Sequence, residues 1–131
     1  MEKKNNGTNP APTRQELESY RSLLKEAGDQ RVRLRFLEKE AERVGGINSP
    51  MAEAYREAIK ENIVKCCEIA ANVQDFINTI DDSRTRRVFT MYYIDGWSWL
   101  KIAFAIGSHS ESTPRVLHAR YLKRFYRNKK V

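Results

Sequence analysis

Apolar residues recur three and four positions apart along two long stretches of the chain. In the first stretch, the residues that share this spacing are Leu17, Tyr20, Leu24, Ala27, Leu34, Leu37, Ala41 and Val44. Thr13 and Glu16 match a capping box just before this stripe, and Gly45-Gly46 follows it. We therefore predict one long amphipathic helix between these two signals.

The second stretch begins at Ser49-Pro50, which supplies an N-cap residue and a first-turn proline. From Tyr55 to Ile80 its apolar positions alternate in steps of four and three, as in a heptad seam that Asn62 interrupts. Arg31 interrupts the first stripe in the same way. Two helices of about 30 residues joined by a short loop predict an antiparallel hairpin, whose apolar face is wider than one partner helix would cover.

A helix-turn-helix is predicted in the C-terminal part of the chain. Asp81 or Asp82 is positioned to cap a helix that ends at the Asp95-Gly96 turn. Ser98 is the expected N-cap of a second, short helix that ends at Gly107.

The last predicted helix is basic, starts at Glu111 and has Ser110 as its N-cap. The predicted fold class is therefore all-α. It combines a disordered tail at residues 1–12, an N-terminal antiparallel hairpin of long helices at 13–80 and a helix-turn-helix at 81–131.

The net charge of +7 is concentrated in one part of the chain. Residues 1–80 hold 13 Lys/Arg and 13 Asp/Glu, whereas residues 81–131 hold 11 Lys/Arg and 4 Asp/Glu. A neutral arm joined to a basic module indicates a polyanionic partner, and nucleic acid is favoured over a membrane because the basic residues do not form a simple amphipathic stripe. A cationic segment that only improves solubility is the alternative.

The sequence shows no sign of export or of membrane insertion. It contains no run of 18 apolar residues and no apolar segment after its basic N-terminus. Cys66 and Cys67 are adjacent, which suits helix packing better than a disulfide framework or a metal site. We expect a cytoplasmic protein.

No catalytic or metal-binding pattern stands out. His109 and His118 lack partners at ligand spacing, and no nucleophile elbow, phosphate loop or zinc signature occurs. We expect His118 to be a half-buried packing residue, and Trp97 and Trp99 to pack in the core rather than to stack on bases. The expectation is a protein without enzymatic activity, metal or cofactor.

The segment VFTMYYIDGWSWLKIAFAIG, residues 88–107, resembles the DNA-binding region 4 of bacterial sigma-70-type factors. In that region an apolar helix, an acidic-Gly turn, a Ser-aromatic start, Ile-Ala and a terminal Gly recur in this order. The resemblance covers about residues 84–126. The chain is also similar to small phage regulators of the ArpU and RinA type in its size and in its helical N-terminal half. A further similarity is the pattern near the C-terminus formed by Leu117, His118, Leu122 and Phe125.

Two positions depart from the sigma pattern. Lys101 stands where sigma factors usually carry an acidic residue, which predicts a weaker cap at Ser98. The turn from Gly107 to Glu111 is one residue longer than the common pattern, which leaves the register of the last helix open by one residue.

A recognition helix lies in the major groove with its N-terminal residues on base edges. The residues expected to read bases are Ser110, Glu111, Ser112, Arg115 and Ala119. Arg115 is the leading candidate because a guanidinium can bridge guanine O6 and N7. Glu111 either accepts from cytosine N4 or favours the helix dipole. The residues expected to contact phosphates are Arg84, Arg86, Arg87, Lys101, Arg120, Lys123, Arg124 and Arg127.

These observations predict a sequence-specific double-stranded DNA-binding protein. The resemblance implies a phage or prophage transcriptional regulator that is associated with the nucleoid of a bacterial host. One alternative is a small terminase-like subunit for DNA packaging. The other is a sigma-like module that binds RNA polymerase. Besides DNA, the expected partners are further copies of the chain, through the N-terminal helices, and no membrane.

Overall fold

A computed structural model describes residues 10–43 and 49–127. Every regular element within these residues is helical, which confirms the all-α class. The helices are α1 (Arg14–Glu18), α2 (Tyr20–Arg43), α3 (Pro50–Asn78), α4 (Ser83–Phe89), α5 (Trp99–Ala105) and α6 (Ser112–Tyr126). A π-helical turn, Thr90–Ile94, continues α4.

The chain divides into two compact units, Met1–Val73 and Gln74–Val131. The division falls inside α3, earlier than the boundary at residues 80 and 81 that the sequence suggests. The reason is visible in the last turn of α3, where the ring of Phe76 lies 4.9 Å from that of Phe125 at an angle of 69°. Phe76 therefore belongs to the aromatic core of the second unit.

The first predicted helix is two helices. Its capping box is confirmed: the Thr13 hydroxyl accepts from the Glu16 N–H, and the Thr13 N–H donates to the Glu16 carboxylate, both at 3.0 Å. The helix is interrupted at Ser19, where the Gln15 carbonyl accepts from both the Ser19 hydroxyl at 2.8 Å and the Ser19 N–H at 3.0 Å. The predicted stop at Gly45-Gly46 lies outside the described residues.

The apolar stripe of the first stretch is buried at its N-terminal end. Leu17, Tyr20 and Ala27 are buried, whereas Leu24 is 41% exposed. Further along α2, the stripe is half-buried at Leu34, Leu37 and Ala41. Val44 lies outside the described residues.

The helix α3 begins as the sequence predicts. The Ser49 hydroxyl accepts from the Ala52 N–H at 3.0 Å, and Pro50 is the first helical residue. The buried positions of its seam in the first unit are Ile59, Cys66 and Val73. Burial raises the pKa of the Cys66 thiol, to which the nearby charge of Glu26 adds.

The two polar residues that interrupt the predicted seams both bond from one long helix to the other. The Asn62 amide donates to the Glu26 carboxylate at 2.9 Å. The Arg31 guanidinium donates to the Cys67 sulfur at 3.3 Å. Each polar group therefore has a partner on the neighbouring helix, which favours one register of α2 against α3.

The N-terminal stretch that the sequence suggests to be disordered is held in place at its end. The Pro12 side chain is fully buried. The Pro10 carbonyl accepts a hydrogen bond from the Asn72 amide at 2.9 Å. Residues 1–9 lie outside the described residues.

In the second unit, Asp82 rather than Asp81 caps α4. Its carboxylate accepts from the Thr85 hydroxyl at 2.7 Å and from the Thr85 N–H at 3.0 Å. These bonds to the charged form lower the pKa of Asp82. They also give the buried Thr85 hydroxyl its partner.

The helix α4 widens into the π-helical turn before it ends at the predicted position. The Asp95 N–H reaches back five residues to the Thr90 carbonyl at 3.0 Å. Gly96 then adopts a φ of 73°, and the Trp97 N–H donates to the Met91 carbonyl at 2.9 Å. The wider turn belongs to the segment that carries Tyr92 and Tyr93 toward α6.

The helix α5 is bounded as the sequence predicts. The Ser98 hydroxyl accepts from the Lys101 N–H at 3.2 Å, so this cap forms without an acidic side chain at position 101. At the other end, Gly107 has a φ of 82° and donates to the Phe104 carbonyl, while the Ser108 N–H donates to the Ala103 carbonyl. This pair of bonds is a Schellman motif, which ends the helix in a tight turn.

Candidate nucleic-acid interface

The residues of α6 fall on two chemically different faces. The inner face holds Pro114, Leu117, His118, Tyr121, Leu122 and Phe125, all buried or half-buried. The outer face holds the exposed residues Ser112, Arg115, Val116, Ala119, Arg120, Lys123 and Arg124. Because no Asp or Glu occurs within α6 itself, this outer face is basic.

The inner face of α6 is fixed by a core that its neighbours share. Val88, Met91 and Ile102 form the buried centre of this core. Packed against them are the half-buried side chains of Tyr92, Trp97, Trp99, Ile106 and Leu117. The two tryptophans therefore pack in the core, which confirms the interpretation favoured by the sequence.

His118 anchors the middle of α6 in this core. A hydrogen bond of 2.6 Å joins its Nε2 to the Tyr93 hydroxyl. Its ring lies 5.1 Å from the ring of Phe89 and 5.2 Å from that of Trp99. His118 is thus half-buried and structural, as the sequence suggests, and it holds α6 against both α4 and α5.

A second aromatic group holds the C-terminal half of α6. The ring of Tyr121 lies 5.3 Å from that of Phe89, edge to face, and is stacked with Phe125 at 5.9 Å. Burial raises the pKa of the Tyr121 hydroxyl. With its inner face fixed in this way, α6 presents its basic outer face in one orientation.

Three serine hydroxyls organise the turn into α6. The Ser108 hydroxyl accepts from the Ser110 N–H at 3.1 Å and contacts Thr113 Oγ1 at 2.9 Å. The Ser110 hydroxyl accepts from the Ser112 N–H at 3.2 Å and meets Ser112 Oγ at 2.7 Å. The helix begins at Ser112, one residue after the predicted start, because Glu111 occupies the N-cap position with its side chain turned elsewhere.

The side chain of Glu111 pairs with that of Arg115. The carboxylate and guanidinium are 2.7 Å apart, and both side chains are about half exposed. A surface pair of this kind contributes little to stability, since the surrounding water screens it. Its geometric effect is larger, because it restrains the long Arg115 side chain near the start of α6.

The predicted phosphate ligands separate into two groups. The first group consists of the exposed residues Lys101, Arg120, Lys123, Arg124 and Arg127. In the second group, Arg84 and Arg87 are also exposed. Lys101 Nζ lies 4.1 Å from the centre of the Trp97 ring, and the Arg124 guanidinium lies 5.6 Å from that of Tyr121. Both cations are oriented by an aromatic neighbour while they stay in contact with solvent.

The other three predicted phosphate ligands bond to carbonyls of the fold. Arg84 and Arg87 donate to the carbonyls of Ile106 and Ala105 at 3.5 and 3.1 Å, at the C-terminal end of α5. Both satisfy carbonyls that a helix end leaves without partners. Arg86 is half-buried and donates to the Ile80 carbonyl at 2.6 Å. The structure gives Arg86 a role inside the fold, which its charge alone does not reveal.

Comparisons with known proteins find no match to this chain among family models, curated proteins or solved structures. The candidate interface is therefore characterised by its own geometry and charge. Within the described parts of the chain, no helix is long and apolar enough to cross a membrane. The same parts hold no group of three or more His, Cys, Asp or Glu residues placed to bind a metal ion.

The five candidate base-reading residues lie together around the N-terminal half of α6. Ser110, Glu111, Ser112, Arg115 and Ala119 are all exposed. Sequence reasoning missed Val116, which is 43% exposed on the same face. Its spacing was the available signal, because it follows Ser112 by four residues and precedes Ala119 by three.

Proposed function

We propose that this protein binds double-stranded DNA sequence-specifically, with α6 in the major groove. The observation that carries the proposal is the outer face of α6, an exposed helix face that presents Arg115, Arg120, Lys123 and Arg124 and has no carboxylate of its own. A major groove about 12 Å wide admits an α-helix. Because its inner face is anchored in the core, α6 enters the major groove as a rigid element.

The arrangement before α6 supports a helix-turn-helix. A short helix, α5, ends in the Schellman turn at Gly107, and α6 follows after a turn organised by serine hydroxyls. Such a geometry places the first helix across the DNA backbone and the second in the groove. Lys101, exposed in the first turn of α5, is then a phosphate ligand.

The exposed cations supply the part of the affinity that does not depend on sequence. Each Lys or Arg that neutralises a phosphate releases a bound counterion, so affinity falls as salt rises. Arg120, Lys123 and Arg124 lie along the outer face and position α6 on the duplex. Arg115, near the N-terminal end of α6, reads bases.

A role as a phage or prophage transcriptional regulator is part of the same proposal. It draws on the resemblance of residues 88–107 to sigma region 4. The two long helices, α2 and α3, form the hairpin arm through which copies of the chain associate. This arm has exposed large apolar side chains, among them Val32 at 62%, Phe36 at 61% and Met51 at 82%.

Selection of duplexes from a random pool, with the full-length protein at physiological salt, tests the proposal. We expect enrichment of one short motif. Affinity for that motif should fall steeply as salt rises, because each phosphate contact releases a counterion. A pool that stays random after repeated rounds would overturn the proposal.

The rival functions predict different results with the same sample. A ring of many subunits in light scattering would favour a DNA-packaging subunit. Capture of RNA polymerase subunits by a protein without affinity for any duplex would favour a polymerase-binding module.

A further inference from the structure

Two apolar side chains, Val116 and Ala119, lie within the basic face of α6. Val116 lies there with 43% of its surface exposed, between Ser112 one turn before it and Ala119 one turn after it. Arg115 and Arg120 flank this strip on its two sides. At 100° per residue, Ser112, Val116 and Ala119 share one narrow strip opposite the buried inner face, and Lys123 lies two turns after Val116 on the same strip.

Helix formation does not require a valine at this position. A β-branched side chain loses rotamer freedom in a helix, and Ala, Lys or Glu would form an exposed helix more readily. Val116 is also absent from the aromatic core that holds α6 through His118 and Tyr121. Its apolar surface is thus available to a partner of the outer face.

The major groove offers one apolar group to such a side chain. Base edges there display hydrogen-bond donors and acceptors, except at the C5-methyl group of thymine. Ala119, one turn further along the same strip, is small and leaves room for close approach to the bases. The flanking arginines match the phosphates on either side of the groove.

We infer that Val116, supported by Ala119, reads the C5-methyl group of a thymine in the recognised DNA. The inference rests on the proposed function and names a base that the site requires. Arg115 and Val116 are consecutive residues of α6, so the bases that they read lie close together in the duplex. The recognised sequence therefore contains a thymine close to the guanine that Arg115 contacts.

The test uses full-length protein and its selected duplex. Each thymine is replaced in turn by deoxyuridine, which removes only the methyl group. We expect one or two positions at which this change weakens binding about three- to fivefold, the effect of exposing one methyl group to water. With Val116→Ala, the same replacement should change affinity less than twofold. Alanine favours helix more than valine does, so the variant folds.

Val64→Ala is the matched control, because Val64 is a valine of α3 that is 53% exposed. The Val64→Ala variant should show the same loss of affinity as wild type when deoxyuridine replaces those thymines. In a second series of duplexes, each cytosine is replaced in turn by 5-methylcytosine. A gain there that depends on Val116, without a loss at any thymine, would overturn the assignment to thymine and identify 5-methylcytosine as the base that Val116 contacts.

Specific binding whose affinity changes in neither the deoxyuridine series nor the 5-methylcytosine series would overturn the inference and leave the proposed function standing. So would a deoxyuridine loss that persists unchanged in Val116→Ala. Failure to select any duplex would instead contradict the proposed function, and the inference with it.

Discussion

A single half-buried histidine organises the attachment of α6. His118 bonds to the Tyr93 hydroxyl and lies within 5.5 Å of the rings of Phe89, Tyr92 and Trp99. Aromatic pairs at such distances favour particular ring geometries, in addition to the gain from burial. The rotation of α6 about its own axis, and hence the direction of Arg115 and Val116, depends on these contacts.

Tyr93→Phe removes the hydroxyl that bonds to His118 at 2.6 Å. We expect the free energy of unfolding to fall by about 0.5–1.5 kcal/mol, the usual net contribution of one hydrogen bond. Urea denaturation measures the change. Tyr55→Phe, at an exposed tyrosine of α3, is the control and should change stability by less than about 0.5 kcal/mol. Equal stability of Tyr93→Phe and wild type would show that the bond contributes nothing.

Asp82→Ala removes the cap of α4, and its effect should depend on pH. Hydrogen bonds from Thr85 lower the pKa of Asp82 below its ordinary value of 3.8 in the folded protein. The stabilisation is therefore complete above pH 3.8 and is lost as pH falls through the lowered value.

Thermal melts followed by circular dichroism test this dependence. The variant should melt below wild type at pH 7, and the difference should narrow as pH drops below about 3.8. Each comparison at one pH is its own control, since other carboxylates titrate in both proteins. A difference that stays constant down to pH 2 would contradict the assigned role.

Charge indicates which residues are basic but not where their side chains bond. The sequence predicts Arg84, Arg86 and Arg87 to be phosphate ligands. The structure places their guanidinium groups on the carbonyls of Ile106, Ile80 and Ala105. These contacts join segments that are up to 22 residues apart, so only the fold reveals them.

At the level of elements, two glycines with equally open surroundings have opposite roles: one ends a helix and the other lies inside one. Gly107 ends α5 with a φ of 82°, whereas Gly28 lies inside α2. A Cβ added at either position would meet no atom within 4 Å. The effect of an alanine therefore depends on backbone conformation alone at both sites.

Gly107→Ala should lower the free energy of unfolding by about 1–2 kcal/mol, because a left-handed conformation is costly for any residue with a Cβ. Gly28→Ala should raise it by about 0.5–1 kcal/mol, since glycine is a poor residue inside a helix. Chemical denaturation of the two variants gives both values, and each serves as the control of the other. The same sign of change in both would contradict the turn geometry at Gly107.

Helix ends could be predicted from sequence where a side chain marks them locally. The capping box at Thr13, the serine caps at Ser49 and Ser98 and the glycine stop at Gly107 all have this property. The break at Ser19 and the π-helical turn could not be predicted. At the first, a serine hydroxyl shares a carbonyl with the backbone, and serine occurs inside helices as well as at their ends. The second places Tyr92 and Tyr93 in an aromatic core assembled from distant segments.

For the whole molecule, the uneven charge and the exposed apolar side chains of the arm suggest different partners. The basic outer face of α6 suits DNA. The proposed hairpin arm exposes Phe36 by 61%, with Val32 one turn before it. These two side chains lie on one face of α2, within the arm through which copies of the chain are proposed to associate.

Phe36→Asp should therefore weaken self-association. We expect light scattering of wild type to give a mass above that of one chain, and the variant to shift toward one chain at the same concentration. Phe104→Asp is the matched control, as Phe104 is 60% exposed on α5, and it should keep the wild-type mass. A monomeric wild type, or equal shifts in the two variants, would contradict the role of the arm.

The most direct test of the account compares Arg115→Ala with Arg35→Ala on a selected duplex and on a scrambled one, by fluorescence anisotropy at fixed salt. Both changes remove one exposed arginine, from α6 and from α2 respectively. Arg115→Ala should weaken binding to the selected duplex about 5- to 150-fold, corresponding to about 1–3 kcal/mol of lost base recognition, and should affect the scrambled duplex far less. Arg35→Ala should match wild type on both. If Arg115→Ala binds the selected duplex as tightly as wild type, α6 does not read DNA through the face described above.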